Sequence, residues 1–200
     1  HVLNFSISQS PSLQKHAHKV VIPNGIDLER FAFQPHHPGF HLGFVGNLEH
    51  SKGLMLLMQV LKCLVSIDSK YHLSLVGEHT DWRYISYVYY FLKENNLTQH
   101  VHFDHWVKDM PHWFKDKNYL ISTSPWESQG LAIMESMAVG LKPLIHNFVG
   151  AHFIYPSELI WNDLNKLKDL ILGTYDGLHY RMWIEKHYAL PKTIEYVLQV

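Results

Sequence analysis

The sequence has very little cysteine, no long apolar run and almost no net charge, and each shortage excludes something. Cys63 stands alone among 200 residues, so no internal disulfide can form, and a reducing compartment suits the chain. Cys63 falls inside an amphipathic stretch, where a free thiol packs as a small apolar side chain. No apolar run reaches the roughly 18 residues that a membrane span needs, and no signal peptide is visible. Lys and Arg number 17 against 18 Asp and Glu, giving a formal charge of -1 and a pI of about 7.1. The basic face of a nucleic-acid binder is therefore not expected. Internal repeats and low-complexity segments are lacking too.

Histidine is the one abundant polar type, at 17 residues. His16 and His18, His36 and His37, and His100, His102 and His105 come near metal spacing. None shows the two-plus-two clustering or the His-Glu-x-x-His helix of a zinc site, so they are read as surface or structural histidines and no metal ligand is assigned.

Hydrophobic residues make up 46% of the chain, enough for a buried core. Residues 1–18 read as a connector, followed by a short strand from Lys19 to Ile22 and a Pro23-Asn24-Gly25 turn. His41 to Val45 is an apolar strand ending at Gly46. Further strands are predicted at Tyr71 to Val76, Val101 to Phe103, Asn118 to Ser122, Pro143 to His146 and Glu158 to Trp161. Helices are predicted after Gly53, over 81–95 with Asp81 as N-cap, over 109–114 and after Glu127, then at 163–173, 177–187 and 191–199. Short apolar strands alternating with helices define an α/β fold with a doubly wound, mainly parallel sheet of six strands. The strand order expected is 3-2-1-4-5-6.

In that order the first and fourth strands are neighbours, and ligands bind in the crevice at their carboxyl ends. The loops Gly46 to Gly53 and Thr123 to Glu127 should therefore face each other, each leading into a helix N-terminus that favours a phosphate. Lys52 adds a full charge, although Gly-x5-Lys-Gly alone is a weak signal. Glu135 is sharper. Its neighbours Leu131 to Met134 and Met137 to Val139 make the helix apolar nearly all round, so its carboxylate is expected to be buried about two turns into the helix. A buried carboxylate needs donors: a cation, backbone amides or ligand hydroxyls. Its spacing from Glu127 keeps an acid–base pair in view as well. An unrelated dinucleotide fold is disfavoured, because no Gly-x-Gly-x-x-Gly follows a first strand.

Four stretches then resemble the C-terminal, donor-binding domain of GT-B glycosyltransferases, specifically the retaining enzymes of family 4. They are IPNGIDLERF (22–31), FVGNLEHSKG (44–53), ESQGLAIMESMAVGLKPLI (127–145) and YRMWIEKHYAL (180–190). The resemblance implies residue roles. Glu127 lies near the donor sugar and Glu135 holds the ribose hydroxyls. Lys52 meets the diphosphate beside Gly46 and Asn47. The turn amides of Ser128, Gln129, Gly130 and Leu131 surround phosphate and sugar, and the loop His105, Trp106 and Val107 meets the base. Lys52 and Glu127 are the implied catalytic residues. The donor is a UDP- or GDP-linked sugar, with no cofactor and no metal.

The chain departs from the family at three places. Asn47 stands where Arg is usual and loses the charge and the bidentate fork. Ser128-Gln129 replaces Gly-Phe, and the glycine usual near His105 is absent. The resemblance further implies that residues 19–200 are one nucleotide-sugar domain, that an acceptor-binding N-terminal domain is missing, and that the isolated chain is inactive. It places the parent protein in the cytoplasm, with peripheral membrane contact compatible. A non-catalytic scaffold domain is the competing reading, favoured by Asn47.

Overall fold

The computed structural model describes residues 22–79 and 81–198. The expected connector, His16 and His18, and the expected strand as far as residue 21 lie outside these; Ile22 is not in a strand.

Six strands form one sheet: β1 His41–Val45, β2 His72–Val76, β3 Val101–His105, β4 Tyr119–Ser122, β5 Lys142–His146 and β6 Ile160–Trp161. Their order is β3-β2-β1-β4-β5-β6, and every neighbouring pair runs parallel. The expected order and direction both hold. Seven α-helices lie among the described residues: α1 Leu54–Ile67, α2 Trp82–Glu94, α3 Met110–Phe114, α4 Leu131–Ala138, α5 Leu164–Leu172, α6 Gly177–Tyr188 and α7 Leu190–Leu198.

Alternation along the strands sends side chains to both faces. Tyr119 and Ile121 join one core with Leu54, Leu57, Met58 and Leu61 of α1, Ile85 and Val88 of α2, and Leu167 and Ile171 of α5. Leu120 joins the other core, with Phe114 of α3, Met134, Met137 and Ala138 of α4, and Tyr180 and Ile184 of α6. Burial on both faces is why the strands read as continuous apolar runs.

Side-chain caps fix several helix starts. Asp81 accepts from the Arg83 amide at 2.9 Å, Asp163 from Asn165 at 2.9 Å and Lys166 at 3.0 Å, and Asp176 from His179 at 3.0 Å. Each satisfies donors that a helix N-terminus leaves without intrahelical partners.

β2 and β4 each begin one residue later than expected, at His72 and Tyr119, and three further strands differ. The last strand is shorter, because Ser157–Leu159 form a 3-10 turn and only Ile160 and Trp161 pair with β5. β3 runs two residues further, and its register shifts so that Val76 sits opposite His105. His105 adopts φ 54, the left-handed region that glycine enters at least cost. β5 begins one residue earlier, at Lys142, whose side chain is buried and donates to the carbonyls of Leu170 (2.5 Å), Gly173 (3.2 Å) and Thr174 (2.8 Å).

Segment 22–31 does not stand apart. Ile26 forms a parallel bridge with Ala189, with Ile26 N donating to Tyr188 O at 2.7 Å and Leu190 N to Ile26 O at 3.0 Å. Arg181 of α6 reaches the carbonyls of Phe31 (2.6 Å), Ala138 (2.8 Å) and Leu28 (3.3 Å).

Candidate donor-binding site

The loops after β1 and β4 meet, as the strand order requires. Gly53 has φ 68, and a Cβ there would lie 2.1 Å from the Thr123 carbonyl oxygen. The two backbones thus touch where no side chain fits. The Thr123 hydroxyl donates back to the Lys52 carbonyl at 3.0 Å. Lys52 ends a 3-10 turn, His50–Lys52, immediately before α1.

Across this junction Lys52 Nζ and Glu127 Oε1 form an ion pair at 2.7 Å, with side chains 27% and 15% exposed. Two residues 75 positions apart thereby share the mouth of a cleft of about 370 Å³, which also receives Gly46, Ser128, Leu131 and Glu135.

The turn after Glu127 is bolted from below. Buried Tyr155 donates from its hydroxyl to the carbonyls of Gln129 (2.6 Å) and Gly130 (3.0 Å). Gly130 takes φ 75 as N-cap of α4. The helix therefore begins at Leu131, and Glu135 is its fifth residue, one turn in instead of the expected two. Ile133 N and Met134 N donate to the Gly130 carbonyl at 3.0 and 3.2 Å, which leaves the amides of Leu131 and Ala132, both lining the cleft, without an intrahelical acceptor.

Glu135 is about half-buried, as its apolar neighbours foretold. Burial pushes its carboxyl up to about 7, while the charge of Arg30 pulls the other way. Among the described residues no hydrogen bond or ion pair to its carboxylate is seen. Glu135 also lines a second cavity of about 600 Å³, formed with segment 22–31 and α7, in which Arg30 and Thr193 lie. Glu135 and Leu131 thus lie between two spaces.

The sequence-predicted residues part company here. Gly46, Lys52, Glu127, Ser128, Gly130, Leu131 and Glu135 line one cleft. The Gln129 side chain is 3% exposed and turned to structural use: its Nε2 donates to Asn24 O at 2.9 Å and its Oε1 accepts from Asn24 N at 2.8 Å. Asn47 is exposed beside Gly46 and is not among the cleft-lining residues. His105 and Trp106 are exposed at the end of β3 and Val107 is partly buried, outside the lining of this cleft. The His105 carbonyl accepts from Gly77 N at 2.9 Å, and Gly46 N donates to Val76 O at 2.9 Å, so hydrogen bonds link the three loop starts. Sequence reasoning missed Tyr155 and Arg30. Neither has a local signal, since each acts on a partner at least 25 positions away in the chain.

Three of the histidines singled out earlier have partners nearby for their side chains. His36 Nδ1 lies 3.1 Å from Lys117 O, His100 Nδ1 lies 2.8 Å from Tyr71 O, and His102 Nε2 lies 2.9 Å from Asp104.

A six-stranded parallel sheet of this order, with helices packed on both faces, is a doubly wound α/β fold. Residues 39–166 match the family of glycosyl transferases group 1, and the chain belongs to that family. It is 26% identical over 159 residues to UDP-Gal:alpha-D-GlcNAc-diphosphoundecaprenol alpha-1,3-galactosyltransferase of Escherichia coli, an alignment covering 69% of this chain and 39% of that protein. Its fold superposes on Anabaena HepE, crystallised with UDP and glucose, with a TM-score of 0.84 at 16% identity, over 98% of this chain and 61% of that one. TarM of S. aureus, in a complex that includes UDP, gives 0.76 at 19% identity, over 94% and 40%. At these identities the structural likeness shows the fold alone. The chain spans 38% and 39% of the length of the curated relatives it matches. No helix among the described residues is long and apolar enough to cross a membrane.

Proposed function

We propose that this chain is the donor-binding half of a retaining, family 4 glycosyltransferase, and that its cleft holds a nucleotide-diphosphate sugar. The observation that carries this reading is the convergence of Lys52 and Glu127 with a Glu135 carboxylate that has no hydrogen-bond or ion-pair partner among the described residues. Lys52 and the first amides of α4 would meet the diphosphate. Glu127 would position the sugar hydroxyls, and Glu135 would accept from the ribose hydroxyls. The loop His105 to Val107 would lie toward the base. Both the UDP-galactose donor named for the Escherichia coli relative and the UDP held by HepE and TarM favour a uridine nucleotide.

In transfer, negative charge builds on the departing diphosphate. A fixed ammonium and helix amides that need no reorganisation stabilise it. Such protein charges would serve in place of a metal, and no cofactor is required. The acceptor would bind on an N-terminal domain supplied by the parent protein, which would build glycans in the cytoplasm or at the membrane face. The isolated chain would bind donor and transfer nothing.

Calorimetric titration of UDP- and GDP-sugars into the chain tests the reading. Micromolar to millimolar binding that Glu135→Ala abolishes supports it. Binding that survives Glu135→Ala unchanged removes the ribose role, and sugar transfer by the isolated chain removes the half-site view. Asn47 favours a second reading, a scaffold domain that has lost its donor; absence of binding by any nucleotide would establish that one instead.

A further inference from the structure

Lys52 and Glu127 are joined by an ion pair at 2.7 Å inside the cleft. We propose that this ion pair makes Glu127 the residue by which the site discriminates a nucleotide sugar from the free nucleoside diphosphate. The inference rests on the donor-site reading above and assigns the pair a role that neither residue has alone.

The geometry leaves Glu127 few alternatives. Its side chain is 15% exposed, so water can replace little of what Lys52 supplies. Its backbone cannot withdraw. Upstream, Thr123 is tied to the Lys52 carbonyl at 3.0 Å and presses on Gly53; downstream, Tyr155 pins the carbonyls of Gln129 and Gly130. Any exchange of partners at Glu127 is therefore a side-chain event within fixed loops.

An ammonium carries three donors and a single charge. A diphosphate that reaches Lys52 either takes it from Glu127 or shares it, and in both cases sets a carboxylate beside phosphate oxygens. Like charges at that range oppose binding. A nucleotide sugar brings the remedy, because its hydroxyls donate to Glu127 as Lys52 turns to the phosphates. A free nucleoside diphosphate brings one more negative charge and no hydroxyl at that place. The ion pair therefore penalises the product of transfer more than the donor, which favours exchange of spent nucleotide for fresh donor.

Titration of UDP, UDP-galactose, GDP and GDP-mannose into the wild-type chain and the Glu127→Gln variant tests this, with circular dichroism verifying the fold. The amide removes the charge at nearly constant shape. The free diphosphate should bind about fivefold tighter to the variant, the worth of a modest ion pair, while the sugar nucleotide gains nothing. If Glu127→Gln does not fold, Glu127→Ala should show the same shift. Diphosphate affinity that is unchanged or weaker, or equal tightening of both ligands, overturns the proposal and leaves the donor-site reading intact. Failure of the wild type to bind any of the four overturns both.

Discussion

Gln129 and Asn24 exchange a reciprocal pair of hydrogen bonds across 105 positions of chain, Asn24 N to Oε1 at 2.8 Å and Nε2 to Asn24 O at 2.9 Å. This clamp gives Gln129 a structural role. The Gln129 amide offers one donor and one acceptor to a turn that needs both. Gln129→Leu leaves the two main-chain groups of Asn24 without these partners and should cost about 2 kcal/mol. Gln129→Glu keeps an acceptor but loses the donor and places a carboxylate at a site 3% exposed; it should cost about 3 kcal/mol. Urea midpoints measure both, and a Gln129→Glu variant as stable as wild type would remove the clamp from the account.

Glu135 makes the free chain pH-sensitive. Burial pushes its carboxyl up to about 7 from an ordinary value of 4.5. The protonated form is the one the fold prefers, so the contribution is whole below 4.5 and is lost as pH rises through about 7. The loss is of the order of 3 kcal/mol. Glu135→Gln should therefore gain on wild type by about that amount between pH 4.5 and 8, read from chemical denaturation across this range. Ribose hydroxyls donate to the ionised form, so donor affinity should rise with pH through the same window in wild type and stay flat in the variant.

Lys142 caps the end of α5 with three charge-assisted bonds to carbonyls of Leu170, Gly173 and Thr174. A cation at a helix C-terminus also meets the negative end of the helix dipole. Lys142→Met fills similar space without donors and should destabilise by about 3 kcal/mol. Denaturant unfolding monitored at the tryptophans checks it, and donor affinity at 25 °C should not change while the chain remains folded.

Asn47 is exposed next to Gly46, which lines the cleft. Asn47→Arg restores a fixed positive charge beside the proposed diphosphate position. Affinity for UDP should rise roughly fivefold at low salt and lose much of that gain in 0.5 M NaCl, as a partly screened charge would. An unchanged UDP affinity would mean that position 47 does not reach the phosphates.

Sheet order, helix placement and the meeting of the Lys52 and Glu127 loops were legible in the sequence, because each is written locally. Apolar strand runs, Asp caps and turn glycines announce themselves within a few residues, and strand order then fixes which loops face each other. Lys142, Gln129 and Tyr155 were not legible in this way. Each satisfies main-chain groups 25 or more positions distant, and no short period encodes such a partner. Lys142 misleads further, since a lysine at a strand start reads as exposed when it is buried. His105 is a third kind of case: it takes the left-handed conformation, φ 54, where the sequence pattern shows only that a glycine is absent.

The bridge between Ile26 and Ala189 has a mechanical consequence. Segment 22–31 and the start of α7 are stitched side by side, and Asn24 is held to the turn between Glu127 and Leu131. A pull on the chain at Ile22 is therefore shared with the opposite end of the sequence before it strains the sheet, and it reaches the carboxylates along one short, taut line.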